Sequence, residues 1–159
     1  MAVFFFDTSA LAKLYVMETG TAWVRRLTDP AAQNRLYVAR ITLVELVSAI
    51  TRRKKNGDLT QAMAGAALAT LRSNFDSDYD VVEVTSFLVS QAEALAEKHV
   101  LRGYDAVQLA AATQVHSAYV AAGKASNQPM PTLILVSADL DLNTAAQAEG
   151  LAVDDPNMH

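Results

Sequence analysis

The chain contains no cysteine in its 159 residues. That excludes disulfide bridges and thiolate metal centres, and it is compatible with a reducing compartment. No apolar run approaches the ~20 residues that a helix needs to cross a bilayer. The amino terminus has neither the basic start nor the small-residue cleavage site of a secretory signal, so a cytoplasmic protein with no membrane partner is expected. An excess of basic charge is missing as well. Lys and Arg number 13 against 17 Asp and Glu, a net charge of −4, which argues against coating nucleic acid by bulk electrostatics. No Gly-x-Gly-x-x-Gly follows the first apolar run, so a dinucleotide site is not expected. The three histidines, His99, His116 and His159, share no motif, which leaves little for metal-free acid–base chemistry on a phosphodiester.

What the chain has is apolar content. Its hydrophobic fraction is 52% and its charged fraction 19%, enough for one globular domain spanning 1–159. The rest is organised around Val3 to Tyr15. Val3, Phe4, Phe5 and Phe6 form an uninterrupted β-branched and aromatic run, as suits a strand buried on both faces of a parallel sheet. Asp7, Thr8 and Ser9 follow at once, and Leu11, Leu14 and Tyr15 then recur at helical spacing. In open α/β sheets the carboxyl edge of the strands is where ligands bind. Asp7 and Thr8 are equally good helix caps.

Further strands are expected at Leu36–Ala39, Val81–Val84 and Leu133–Val136, with an edge strand at Leu151–Val153. Helices should lie between them: Thr19–Leu27, capped by Thr19 or Thr21; Thr42 to Asn56; Leu59–Phe75; one capped by Ser86; one from Ala106 to about Ala122; and a short one over Asn143–Glu149. Thr42 to Phe75 reads as a helical hairpin turned at Gly57, its second arm carrying Met63, Ala67, Leu68, Leu71 and Phe75 on one stripe, of which Met63, Leu68 and Leu71 are expected to be left over for another chain. Residues 123–131 read as a polar loop. Strands alternating with helices imply a mostly parallel sheet covered on both faces.

Four carboxylates stand out. Asp7 and Asp139 each end an apolar strand, Asp139 behind Ser137, and parallel strands bring such ends to one edge. Either could simply be a cap or turn residue. Glu45 lies between Leu43-Val44 and Leu46-Val47, where an ionised carboxylate must be paired, hydrogen-bonded or metal-bound. Arg40 is a candidate ion-pair partner. Asp105 opens a helix and could cap it. The contexts Phe-Asp-Thr-Ser, Thr-Leu-Val-Glu-Leu, Tyr-Asp-Ala-Val-Gln-Leu-Ala and Ser-Ala-Asp together resemble the PIN-domain family. Within it the chain is most similar to VapC-type toxins of bacterial toxin–antitoxin pairs, over essentially its whole length.

The resemblance implies a three-layer α/β/α sandwich and a Mg²⁺- or Mn²⁺-dependent endoribonuclease. It carries catalytic and metal-binding roles to Asp7, Glu45, Asp105 and Asp139, with Thr8, Ser9 and Ser137 as supporting hydroxyls. Ser137 stands where the family often has threonine, which keeps the hydroxyl, and the 123–131 loop looks long for the family. Partners implied are RNA, a cognate antitoxin and a second copy of the chain. Hard divalent cations prefer carboxylate oxygen, and four clustered carboxylates repel one another without them. Arg52, Arg53, Lys54 and Lys55 are possible RNA contacts, or a solvated helix end favoured by the helix dipole. A haloacid-dehalogenase-like phosphatase would need an acid at position 9, where Ser9 stands. The rival of another class is a catalytically idle PIN-like binding module.

Overall fold

The four residues of the first apolar run form the central strand β1 (Val3–Phe6), and all four are buried. The structure, a computed structural model, describes residues 1–159. Along the chain follow α1 (Thr8–Tyr15), α2 (Thr21–Thr28), β2 (Arg35–Ala39), α3 (Arg40–Asn56), α4 (Gln61–Ser77) and β3 (Asp80–Val82). Then come α5 (Ser86–His99), α6 (Gly103–Ser126), β4 (Leu133–Val136), α7 (Leu140–Ala148) and β5 (Ala152–Asp154). The strands form one sheet in the order β3-β2-β1-β4-β5, and every neighbouring pair is parallel.

Successive strand residues face opposite sides, so β1 feeds two cores. Val3 and Phe5 join Leu109, Leu133, Leu135 and Leu142 on the α5–α6–α7 side. Phe4 and Phe6 join Leu11, Val24, Leu46, Ile50 and Leu71 on the side of α1 to α4. A strand with core on both faces cannot alternate apolar and polar residues, which is why Val-Phe-Phe-Phe reads as one block. The outcome is the α/β/α sandwich. Its parallel strands bring the turns after β1, β2 and β4 to one edge.

Several boundaries depart from expectation. β3 ends at Val82, and Glu83 just beyond it pairs at the surface with the Arg40 guanidinium, 2.5 Å away. α6 continues through Gly123 to Ser126, and Asn127 in the left-handed region (φ 52°) stops it. One glycine costs a helix only about 1 kcal/mol relative to alanine, and the alanines around it offset that. The expected 123–131 loop is therefore shortened to residues 127–132. α7 starts at Leu140, three residues early, because Asp139 caps it. α2 is preceded by Gly20 rather than a threonine cap, since the Thr21 hydroxyl donates to Lys13 O (2.9 Å). In α4 the expected uncovered stripe splits: Met63 is 54% exposed, whereas Leu71 is buried with Ala64 and Phe75 in the core beneath it.

Candidate active site

Asp7 continues the β1 ladder through its N–H to Val136 O (3.0 Å) and then caps α1 with its side chain. Its carboxylate is almost fully buried. Oδ2 accepts the Ser9 N–H (3.0 Å), the Ser9 hydroxyl (2.6 Å) and the Ser137 hydroxyl (3.2 Å). Oδ1 has no protein partner. Burial pushes the Asp7 pKa up, and these donors pull it part of the way back. The same hydroxyls bind the two strand ends together. Ser9 Oγ accepts from the Ala138 N–H (2.9 Å), and Ser137 Oγ accepts from the Asp139 N–H (3.0 Å). Asp139 caps α7 by accepting the Leu142 N–H at Oδ1 (2.9 Å), and its Oδ2 stays free. The capping and clustering readings of these two aspartates are therefore compatible, because one oxygen of each caps while the other is open.

Glu45 reaches the same edge from the second turn of α3. Its Oε2 accepts the Thr8 hydroxyl (2.6 Å) and a Gln108 Nε2–H (3.0 Å). Arg40 is not its partner, because that guanidinium lies on Glu83 at the surface. Desolvation raises the Glu45 pKa, opposed by Thr8 and Gln108 and reinforced by the Asp7 charge. Asp105 does not cap α6. The cap position belongs to Arg102, Asp105 sits in the first turn, and its carboxylate makes no hydrogen bond. Burial pushes its pKa up to about 6, helped by Asp139, Asp7 and Glu45 and opposed by Arg102.

Gln108 and Thr42 were not singled out from the sequence as part of this cluster. Gln108 is 1% exposed, and its Nε2 lies 2.9 Å from Thr8 Oγ1 and 2.8 Å from Thr42 Oγ1 as well as near Glu45. The available signal was a polar residue between Val107 and Leu109, the argument that had drawn attention to Glu45. Asn143 is a further buried polar group, its Nδ2–H on Ser137 O (2.9 Å). The basic run divides. Arg52 lines a groove with Glu45, Arg53 lies 3.8 Å from Glu18, and Lys54 and Lys55 are exposed in the last turn of α3. His99 is half-buried and bridges α5 to Glu149 beyond α7 at 2.6 Å.

The four carboxylates do not close on one point, and no three acidic or histidine side chains stand in a metal-holding arrangement. Their chemistry nonetheless suits a hard cation. Each keeps at least one oxygen without a protein hydrogen bond, the donors are all carboxylate oxygen, and their charges raise the Asp105 pKa together.

Comparison with known proteins gives the fold a context. Ribonuclease VapC45 of Mycobacterium tuberculosis (strain CDC 1551 / Oshkosh) is 30% identical over 156 residues, 96% of this chain and 95% of that protein. The crystal structure of M. tuberculosis VapC20, described as a sarcin-ricin loop cleaving toxin, aligns with a TM-score of 0.58. Its identity is 20%, over 94% of this chain and 96% of that one. A toxin–antitoxin complex from Klebsiella pneumoniae contains a chain aligning with a TM-score of 0.54 at 18% identity, covering 98% of each. The PIN domain family model matches residues 4–146, from the first buried strand to the helix behind Asp139, and the chain belongs to that family.

Proposed function

We propose that this protein is an endoribonuclease that hydrolyses RNA phosphodiester bonds with Mg²⁺ or Mn²⁺, and that it is the toxin of a toxin–antitoxin pair in the cytoplasm. The observation that carries the reading is the meeting of Asp7, Glu45, Asp105 and Asp139 at one sheet edge, each with a free oxygen. Those four residues would hold the cation. When bound, it supplies Lewis acidity and lowers the pKa of water. The protein's part is to fix the ligands. Ser9 and Ser137 hold Asp7 by one oxygen, and Thr8 and Gln108 hold Glu45 by one oxygen, so the free oxygens keep their direction. Such outer partners typically affect metal affinity or activity 10–100-fold.

The open spacing of the carboxylates is what a catalytically idle binding module would also show. Cleavage decides between the two. Purified protein is expected to cut RNA with Mg²⁺ or Mn²⁺ and to stop in excess EDTA. Cleavage that survives EDTA would remove the metal mechanism, and RNA binding without cleavage in either cation would favour the idle module.

The partners belong to the same reading. On the α4 arm of the hairpin Met63 is 54% exposed and Leu68 half-buried, while Leu71 is buried, so the outer part of the stripe is the apolar surface suited to a second copy of the chain or to an apolar helix of an antitoxin. A basic antitoxin side chain would find the carboxylate cluster within reach. Light scattering should give a dimer alone and a larger complex with the product of an adjoining antitoxin gene. A monomer at tens of micromolar that ignores that product would overturn both.

A further inference from the structure

Beside the carboxylates, α3 and the start of α6 leave an open groove of about 440 Å³. Thr8, Val44, Glu45, Ser48, Arg52 and Tyr104 line it. Glu45, Ser48 and Arg52 form one stripe of α3, and Arg52 lies about 10 Å along the axis from Glu45 at 1.5 Å per residue. Lys54 and Lys55 also lack a carboxylate partner but do not line the groove, and Arg52 differs from the other arginines of this helix. Arg40 is paired with Glu83 and Arg53 lies near Glu18, whereas Arg52 has no carboxylate within salt-bridge distance. Tyr104 is 59% exposed, its hydroxyl bonds nothing, and it directly precedes Asp105. The groove thus runs from a free cation, past a serine hydroxyl, to an uncovered aromatic ring beside a carboxylate.

We infer that this groove is the track by which single-stranded RNA enters the site, one base stacking on Tyr104 and the phosphate chain reaching Arg52. The inference rests on the ribonuclease reading. A chain of net charge −4 cannot attract RNA by overall electrostatics, so binding must come from local contacts. Aromatic stacking is such a contact and tolerates any base, because every base has a π-face. Bases in a duplex are stacked on one another and cannot open onto Tyr104. The track therefore selects unpaired RNA. A peptide in the same groove would use Val44 and Tyr104 but has no phosphate for Arg52.

The test is fluorescence anisotropy of a labelled mixed-sequence single strand and of its duplex, with Ca²⁺ in place of Mg²⁺ and over a range of salt. Tyr104→Ala should weaken single-strand binding about 10-fold, the lower range for loss of one stacked base. It should leave duplex binding and the salt slope unchanged. Tyr104→Phe should bind as the wild type does, since the hydroxyl has no partner. Arg52→Ala should reduce the slope of log K against log salt by about 0.7, the value for one phosphate contact on a single strand, and Arg52→Lys should restore it. Wild-type single-strand binding in Tyr104→Ala, an unchanged slope in Arg52→Ala, or an effect of Tyr104→Ala on protein partners alone would overturn the track. The two readings fail separately. If Tyr104→Ala and Arg52→Ala cleave with wild-type KM, the track falls and the ribonuclease stands. If the binding differences appear and no RNA is ever cut, the ribonuclease falls and the track stands.

Discussion

Asp105→Asn should abolish RNA cleavage and make the metal-free protein more resistant to heat. Both effects come from the position of Asp105 among Asp139, Asp7 and Glu45, where burial and these charges push its pKa up to about 6. An unfolded chain would titrate it near 3.9. Between those values the folded state binds more protons, so stability falls as pH rises from about 4 to about 6 and does not return above that. Asparagine carries no charge at any pH. The variant should therefore match the wild type below pH 4 and exceed it above pH 6. The group is partly exposed, so solvent screening limits the gain to about 1 kcal/mol. For a domain of this size that is a rise in Tm of about 2–4 °C. Added Mg²⁺ should close the gap by stabilising the wild type, because a ligand that binds only the folded state raises its stability. Loss of one charge-stabilising group in a preorganised site typically lowers kcat by about 100-fold or more. The checks are melting curves across pH, with and without Mg²⁺, and cleavage rates at matched metal. A wild-type rate in Asp105→Asn would mean that the cluster is assigned to the wrong residues.

The sequence disclosed this edge unevenly, for physical reasons. β1 and β4 were legible because strands buried on both faces must be continuously apolar, so the polar residues ending them are conspicuous. Glu45 stood out by the cost of burying a charge. Gln108 did not, although it lies in an equally apolar stretch, because an uncharged amide in a helix does not demand a partner in the same way. The partner of Glu45 was misjudged for a related reason. Arg40 is near in sequence, but its place at the start of α3 turns it toward Glu83 beyond β3. The length of α6 was hidden by reading Gly123 as a stop, when the helix formers around it outweigh one glycine. Arg52 was marked only as one of a basic run of four, and nothing local marked Tyr104. Their value depends on α3 lying beside the start of α6, a relation set by the tertiary fold.

Gln108 offers the second large effect, and its two substitutions should diverge. The amide nitrogen is 2.8 Å from Thr42 Oγ1, 2.9 Å from Thr8 Oγ1 and 3.0 Å from Glu45 Oε2. The opposite amide orientation would set Oε1 against the Glu45 carboxylate, so the nitrogen must face it. Oε1 is then left buried without a partner. An orphaned buried carbonyl already costs the wild type about 1–3 kcal/mol. Gln108→Leu removes that orphan together with the donor, and Glu45 keeps Thr8 as a partner. Its stability should change by no more than about 1 kcal/mol. Glu45 loses one of its two fixed directions, however, so the Mg²⁺ needed for half-maximal cleavage should rise about 10-fold or more. Gln108→Glu is worse. It sets a second carboxylate against Glu45 in a buried site, where both cannot be ionised. One must take a proton at pH 7 or the fold must open, at about 3–5 kcal/mol, as for a buried charge left without its partner. The loss should shrink as pH falls and the pair shares a proton. Urea denaturation of all three proteins at pH 5 and pH 7 separates the cases. Wild-type stability of Gln108→Glu at pH 7 would show that Gln108 does not bind Glu45 in solution, and Gln108→Leu would then leave the Mg²⁺ requirement unchanged.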